Sequence, residues 1–225
     1  GFGTDMDSSW GAVQARVGVF SRVCAYDRLG VGQSGRPPAS QDFVDMAGDL
    51  RGVIEQLELA APVLLVAHSL GGMVAVAFAQ QHPDDVAGLV LLDATGPGVA
   101  QSVLDRLPTR SGAPGGEERD VWEELLDPGR NVEHLDGRAA FAAADSFPPL
   151  GAVPLLALTH SISDHHSSTR PRQQADLESA WEAGQHRWLA LSSQASMERV
   201  DLAGHAIQND QPDVVVERIR ELVGK

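Results

Sequence analysis

The chain has 225 residues, of which 43% are hydrophobic and 21% charged, so its composition is that of an ordinary globular protein. A formal net charge of −14 disfavours nucleic-acid binding, which needs clustered lysine and arginine, and adsorption to an anionic membrane. No apolar run approaches the roughly 20 residues of a membrane span, and the single cysteine excludes an intrachain disulfide and a cysteine-based zinc site.

Short apolar runs alternate with amphipathic segments along the chain. In chain order, the predicted elements are a strand at 23–26, a helix at 41–59, a strand at 63–67, a helix at 70–82, strands at 89–92, 153–159 and 197–202, and a final helix from Pro212. Strands that alternate with helices predict a parallel sheet with helices on both of its faces. We expect Cys24, in the first strand, to be buried, because free cysteine is among the most buried residue types.

The helix at 41–59 is amphipathic, since apolar residues recur every three or four positions from Phe43 to Leu57. Ser40 stands where a serine would cap its first turn. The strand at 63–67 is continuously apolar, which is typical of a strand buried on both faces.

The stretch at 97–150 interrupts the alternation of strands and helices. It contains clusters of proline, glycine and charged residues and continues into helical segments, and the strand pattern resumes after it. We therefore predict one core domain formed by residues 1–96 and 151–225, with a cap or lid inserted at 97–150.

A serine leaves the apolar strand in the sequence LLVAHSLGGM at 64–73. A sharp turn from strand to helix would push Ser69 outward at the end of the sheet, beside the unpaired N–H groups of the helix start. Such a turn needs small neighbours, and Ala67 and Gly71 stand two residues before and after the serine. The pentapeptide AHSLG thus follows the nucleophile-elbow pattern G-x-S-x-G, with alanine in place of its first glycine. The alternative is a serine that only caps an ordinary helix.

Four segments together resemble the α/β-hydrolase family, in its esterase-like group, and the resemblance covers nearly the whole chain. They are GFGTDMDSSW at 1–10, YDRLGVGQS at 26–34, LLVAHSLGGM at 64–73 and GHAIQNDQPDVVVERI at 204–219. The resemblance implies an α/β-hydrolase fold, with a mostly parallel sheet, helices on both faces and a helical cap. It also implies that residues 1–10 form a loop.

The resemblance assigns a catalytic role to several of these residues. Ser69 would be the nucleophile and His205 the base that takes its proton, in the family's chain order. The backbone amides of Leu70 and Phe2 would form the oxyanion hole. We interpret His68, inside the turn, as a pocket or support residue and not as the base, because a neighbour in the turn cannot easily swing onto the serine.

The acid that orients His205 has two candidates. In most of the family it follows the strand that we place at 153–159, and Asp164 is the carboxylate of that loop. In some members it ends the preceding strand, where LVLLDAT places Asp93. We favour Asp93, with Asp164 as the alternative, because the loop HSISDHH lacks the usual Gly-x-x-Asp pattern. An aspartate at a strand exit can also be purely structural.

The sequence favours a site without a metal or a cofactor. His160, His165 and His166 lie in one loop, but they lack a paired carboxylate or a cysteine at ligand spacing, and exposed loop histidines need no ligand. The glycine-rich GVGQSG lacks the lysine of a phosphate loop. We interpret Trp181 as a packing residue.

The resemblance predicts a serine hydrolase that cleaves a small carboxylic ester or similar carbonyl substrate through an acyl-enzyme, with a small molecule as its partner. Two alternatives stand beside it. One is hydrolysis of a C–C bond, or perhydrolysis, on the same residues, and the other is a catalytically silent hydrolase-like binding protein. Dehalogenation is disfavoured, because that branch has an aspartate in place of Ser69.

The family's chain order implies two or three further strands before Gly1, the third of which lies between the strands at 23–26 and 63–67. We therefore expect the sequence to be part of a longer hydrolase. No signal peptide is visible in the sequence as given, and we expect a cytoplasmic location.

Overall fold

The computed structural model describes residues 1–109, 113–163 and 169–224. In these ranges one parallel sheet has its strands in chain order: β1 (Val63–His68), β2 (Val86–Leu92), β3 (Leu155–Thr159) and β4 (Ala195–Arg199). The helices are α1 (Met6–Val17), α2 (Phe43–Gln56), α3 (Gly71–Gln81), α4 (Val99–Leu104), α5 (Gly116–Leu126), α6 (Gly137–Ala144), α7 (Pro171–Trp188), α8 (Ile207–Asp210) and α9 (Pro212–Val223).

The sheet lies between two apolar layers, because successive residues of a strand point to opposite faces. Leu89 and Leu91 of β2 pack with side chains of α2 to α7. Val90 and Leu92 pack on the opposite face with side chains of α1, α8 and α9. All four are fully buried. The prediction of a parallel sheet with helices on both faces is confirmed.

Helix α2 begins at a capping box and not at Ser40. The Asp42 side chain accepts hydrogen bonds from the N–H groups of Val44 and Asp45, and the Asp45 side chain accepts one from the Asp42 N–H. The predicted helix is present but its predicted cap is wrong, because a carboxylate next to the first turn satisfies two of the unpaired N–H groups.

The segment at 23–26 corrects two predictions. It has no regular secondary structure and, within the described ranges, pairs with no strand. A cavity of about 650 Å³ is lined by residues of this segment and of β1. Strand pairing needs a neighbour about 5 Å away, which the cavity precludes. Cys24, predicted to be buried in a strand, is therefore exposed.

Residues 1–10 do not form one loop as predicted, because α1 begins at Met6. Asp5 caps this helix, and its side chain accepts a hydrogen bond from the Ser8 N–H at 2.8 Å. Val13 and Val17 are buried on the side of α1 that packs with α9. The capping carboxylate and the apolar spacing were the signals for a helix here.

The described residues between β2 and β3 contain α4, α5 and α6. Helix α4 packs against α7. Phe141 of α6 meets Phe43 of α2 edge-on, with ring centroids 5.2 Å apart. These helices therefore share one apolar cluster with α2 and α7. Among the helices of the described ranges, none combines the length and the apolar composition needed to cross a lipid bilayer.

Candidate active site

Ser69 occupies a strained turn between β1 and α3. Its φ angle of 53° lies in the left-handed region, which residues other than glycine rarely adopt. The turn is held by its backbone: the Ser69 N–H donates to the Leu92 carbonyl at 3.1 Å, and the Ser69 carbonyl accepts from the N–H groups of Gly72 and Thr95. Strain of this kind persists only where surrounding contacts enforce it, and it is frequent at active sites.

The small residues around Ser69 differ in how much space they have. A Cβ atom at Gly71 would lie 3.7 Å from the Cβ of Ala67, an ordinary contact, so the alanine of this elbow fits without distortion. A Cβ atom at Gly72 would lie only 2.4 Å from the Cβ of Ala94. The closest packing of the elbow is therefore at Gly72, one position beyond the pattern.

Asp93 lies beside this turn at the same edge of the sheet. His68 and Leu92 are register partners in β1 and β2, and Ser69 and Asp93 are the residues that directly follow these two strands. Asp93 is fully buried and has a φ angle of 40°. Like Ser69, it is held in a conformation that costs free energy and places it at the carboxyl edge of the sheet, where ligands bind in such folds.

The Asp93 carboxylate accepts hydrogen bonds from three side chains. The Nδ1–H of His205 donates to Oδ2 at 2.6 Å, whereas the Nδ1–H of His160 and the Nε1–H of Trp181 donate to Oδ1 at 2.9 and 3.0 Å. Burial alone would raise the pKa of Asp93, but the hydrogen bonds from His160 and His205 and the charges of these rings hold that pKa below the usual range. Asp93 is therefore an anion at neutral pH.

His205 lies in the loop between β4 and α8. The Gly204 N–H donates to Asp210 Oδ2 at 2.8 Å, which ties this loop to the end of α8. The His205 ring lies 4.7 Å from the His68 ring and meets Trp181 edge-on at 5.4 Å between centroids. Because its Nδ1 proton is directed to Asp93, its Nε2 is the atom able to accept a proton.

His68 supports His205 from β1. Its Nε2–H donates to the His205 backbone carbonyl at 2.9 Å. Burial, together with repulsion from the His205 ring, lowers the pKa of His68 well below its ordinary value. His68 is therefore neutral and packs as a support, in the place that the sequence predicts for it.

The two predicted oxyanion donors lie in different environments. Leu70 is buried at the start of α3, and no backbone carbonyl in the described ranges accepts from its N–H. Phe2 is half-buried against the main apolar cluster. The peptide groups around it are anchored: the Gly1 carbonyl accepts from Arg28 Nη2 at 2.8 Å, and the Gly3 N–H donates to Glu133 Oε1 at 2.9 Å.

Arg28 and Glu133 form the buried ion pair that anchors this loop. Arg28 Nε donates to Oε2 of Glu133 at 2.7 Å and Nη2 donates to Oε1 at 2.8 Å, and the Glu133 side chain is fully buried. This bidentate geometry fixes both side chains. Glu133 could not be predicted as a site residue, because nothing in the local sequence links it to an arginine 105 residues away.

The histidine loop after β3 corrects another expectation. His160, expected to be exposed, is buried between Asp93 and Glu178, and its Nε2 lies 2.7 Å from Glu178 Oε1. Trp181 packs as predicted but also donates to Asp93, which the sequence did not indicate. The alternative acid Asp164, with His165 and His166, lies outside the described residues.

Within the described ranges, no group of three or more histidine, cysteine, aspartate or glutamate side chains is placed to hold an ion. The His160 ring instead directs both nitrogens to carboxylates, and the His205 ring directs Nδ1 to Asp93.

Comparison with known proteins relates the chain to one family. A family model described as alpha/beta hydrolase fold matches residues 2–125. An uncharacterized protein of Bacillus subtilis (strain 168), YqjL, is 24% identical over 215 residues, which are 96% of this chain and 78% of that protein. The 2-hydroxymuconate semialdehyde hydrolase of Pseudomonas sp. (strain CF600) is 38% identical over 90 residues, 40% of this chain and 31% of that enzyme.

A solved structure shares the fold. The thermophilic esterase of Thermogutta terrifontis, with malate bound, superimposes with a TM-score of 0.64 at 24% sequence identity, over 99% of this chain and 86% of that chain. At this identity the likeness shows the fold alone.

Proposed function

Because the chain belongs to the alpha/beta hydrolase fold family, we propose that it is a serine hydrolase that cleaves a small carboxylic ester or similar carbonyl compound. The observation that carries this proposal is the 2.6 Å hydrogen bond from His205 Nδ1 to Asp93 Oδ2, at the sheet edge where Ser69 occupies its strained turn. A nucleophile, a base and an oriented acid are the parts that acyl transfer requires.

The proposed reaction begins with attack of Ser69 Oγ on the substrate carbonyl carbon. His205 Nε2 takes the hydroxyl proton, because Asp93 holds the ring with its other nitrogen protonated. The imidazolium so formed is stabilised by the Asp93 anion. His205 then gives the proton to the leaving alcohol, which departs as the acyl-enzyme forms.

Negative charge on the carbonyl oxygen needs donors that are already in position. The Leu70 amide, which no described backbone carbonyl accepts from, is the first proposed donor. The Phe2 amide is the second, and the Arg28–Glu133 pair anchors the peptide groups on each side of it. In the second half of the cycle, water attacks the acyl-enzyme with His205 as base and releases the acid.

We also propose that residues 97–150 act as a cap over a core of residues 1–96 and 151–225. This segment begins four residues after Asp93, at the edge of the sheet that carries the candidate site. Its helices pack with α2 and α7. Its side chains would then shape the acyl pocket.

Turnover of a series of p-nitrophenyl esters tests the proposal. The wild-type protein should hydrolyse short acyl esters, and Ser69→Ala should lower kcat/KM by roughly a thousandfold or more, because the nucleophile is removed. Ser8→Ala, an exposed serine in α1, is the matched control and should stay within about twofold of wild type. Equal activity of Ser69→Ala and wild type would contradict the assignment.

The acid is tested separately. Asp93→Asn should lower kcat roughly a thousandfold or more, because an amide no longer selects the His205 tautomer or stabilises its charge. Asp176→Asn, on the exposed side of α7, serves as the control. If Asp93→Asn keeps more than a tenth of wild-type turnover and Asp164→Asn does not, the acid is Asp164.

Hydrolysis of a C–C bond is the second candidate, and it is favoured by the 38% identity with 2-hydroxymuconate semialdehyde hydrolase over 90 residues. The same nucleophile and base would serve it. Comparing kcat/KM for 2-hydroxymuconate semialdehyde with that for the best ester separates the two. A larger kcat/KM for the semialdehyde would show that the enzyme hydrolyses C–C bonds in preference to esters.

A further inference from the structure

His160 holds both of its ring nitrogens against carboxylates. Nδ1 lies 2.9 Å from Asp93 Oδ1, and Nε2 lies 2.7 Å from Glu178 Oε1. An ionised carboxylate only accepts hydrogen bonds, so each nitrogen has to donate, and a histidine with two N–H groups is an imidazolium cation. The side chain is 3% exposed, so water contributes little to solvating that charge.

The Asp93 carboxylate divides its two oxygens between two histidines. Oδ2 faces His205, and Oδ1 faces His160 and Trp181. With Oδ1 fixed by two donors, rotation of the carboxylate would break both bonds, so Oδ2 is held at His205. His160 and Trp181 thus position the Asp93–His205 pair through Oδ1, the carboxylate oxygen that does not contact His205.

We propose that His160 is a positioning residue of this site: as a cation between Asp93 and Glu178, it fixes the Asp93 carboxylate on His205 and balances part of the negative charge that this carboxylate presents to the ring. This inference rests on the proposed function. A positive charge then stands at the start of the loop after β3, the loop in which the resemblance to the family places the acid of most members.

The electrostatic surroundings agree with a charged His160. Burial opposes a charge on the ring, but the hydrogen bonds and negative charges of Asp93 and Glu178 outweigh it and raise the pKa of His160 to about 10. Among the described residues, the titratable groups against His205 are Asp93 and His68, and His68 is neutral. The charge of His160 therefore acts on His205 through the carboxylate that both rings share.

The pH dependence of kcat/KM tests this role. His205 must be neutral to accept the serine proton, so activity falls below an acid-side midpoint. In His160→Asn, an amide can still donate to Asp93 but carries no charge, so Asp93 acts on His205 as an unneutralised anion. We expect the midpoint to move up by about one pH unit, because a lost nearby cation favours protonation of a base.

Trp181→Phe is the matched control, because it removes the other donor to Asp93 Oδ1 without changing any charge. It should lower kcat/KM but leave the midpoint within about 0.3 pH unit of wild type. An unchanged midpoint in His160→Asn, or an equal shift in Trp181→Phe, would overturn the inference, since a purely structural role lowers the rate without moving the midpoint.

The charge itself can be read without any turnover. Long-range ¹H–¹⁵N spectra of the wild-type protein should show both His160 nitrogens protonated from pH 6 to pH 9, with the signal assigned by its loss in His160→Asn. Glu178→Gln should lower the pH at which the ring loses its second proton. A neutral His160 ring at pH 8, or no effect of Glu178→Gln, would overturn the inference even if His160→Asn does not fold. Absence of Ser69-dependent hydrolysis would instead count against the proposed function, and the spectra would still decide the charge.

Discussion

At the level of single residues, the site is organised around the Asp93 carboxylate, which side chains from three separate parts of the chain approach. His160 follows β3, Trp181 lies in α7, and His205 precedes α8. The sequence could identify Ser69 and His205 as candidates, because each stands in a local pattern. It could not identify the partners of Asp93 on its Oδ1 side, because those contacts depend on how distant elements pack.

The stability of the protein should depend on the charge of His160. The pKa of His160 is raised from 6.5 to about 10 in the folded protein. The stabilisation from its second proton is therefore complete below about pH 6.5 and is lost as the pH rises through about 10. The free energy of unfolding lost in His160→Asn should accordingly shrink between these values.

Urea unfolding of the wild type and of His160→Asn at half-unit pH steps checks this expectation. Trp181→Phe is again the control, since its loss of stability should change little over the same range. A destabilisation by His160→Asn that is constant from pH 6 to pH 10 would show that His160 is not charged in the folded protein.

At the level of elements, the turn from β1 into α3 depends on close packing at a position that the motif does not name. A methyl group at position 71 would make only an ordinary contact with Ala67, but Gly72 sits against Ala94 in the segment after β2. The motif therefore locates Ser69, the proposed nucleophile, whereas the constraint on residue size comes from the segment that follows the neighbouring strand β2. A local sequence motif cannot show this limit on the size of residue 72, because the limit comes from a contact with another segment of the chain.

Gly72→Ala should destabilise the protein by roughly 1–3 kcal/mol, because its methyl group would overlap the side chain of Ala94. Gly71→Ala is the matched control one residue away, and it should be neutral or stabilising by up to about 1 kcal/mol. Denaturant unfolding of both variants measures the difference. The packing interpretation is wrong if the two substitutions cost the same.

The loop at 1–5 is held by Arg28 and Glu133, which lie in two other loops of the chain. Replacing Glu133 by Gln should cost roughly 3 kcal/mol of stability, because it leaves the Arg28 cation buried without a counter-ion. It should also lower kcat/KM roughly tenfold to hundredfold. Glutamine offers one acceptor oxygen in place of two, so Arg28 and the Gly3 N–H compete for it, and the Arg28 guanidinium that holds the Gly1 carbonyl is no longer fixed.

Glu123→Gln provides the comparison, since Glu123 pairs with Arg119 in α5 in a partly exposed i,i+4 bridge worth under about 1 kcal/mol. Equilibrium unfolding and ester kinetics on both variants give the two effects. Equal losses of stability and of kcat/KM in Glu133→Gln and Glu123→Gln would show that the buried Arg28–Glu133 pair has no special role.

At the level of the whole molecule, the parallel pairing of the sheet could be predicted and its edge at β1 could not. Alternating strands and helices indicated parallel pairing, and β1 to β4 do lie side by side in chain order. The apolar segment at 23–26 also reads as a strand, yet a cavity adjoins both it and β1. An apolar run indicates that a segment can be buried. A strand also needs a neighbouring strand at hydrogen-bonding distance.

The same sheet order brings the proposed catalytic residues together. Ser69 and Asp93 leave neighbouring strands at one edge, and the loop after β4 returns His205 to that edge. The parallel arrangement therefore does most of the assembly, and the side-chain contacts of His68, His160 and Trp181 complete it. Function would follow from the fold only if this edge contains a reactive serine.

Reaction with a fluorophosphonate probe, followed by mass spectrometry of the labelled peptides, tests that requirement. The wild-type protein, shown to be folded by circular dichroism, should carry one adduct on Ser69. Ser69→Ala should carry none, and His205→Ala should react at least roughly a hundredfold more slowly, because the base that activates the serine is gone. A folded wild-type protein without an adduct, or with the adduct on another residue, would contradict the proposed serine hydrolase.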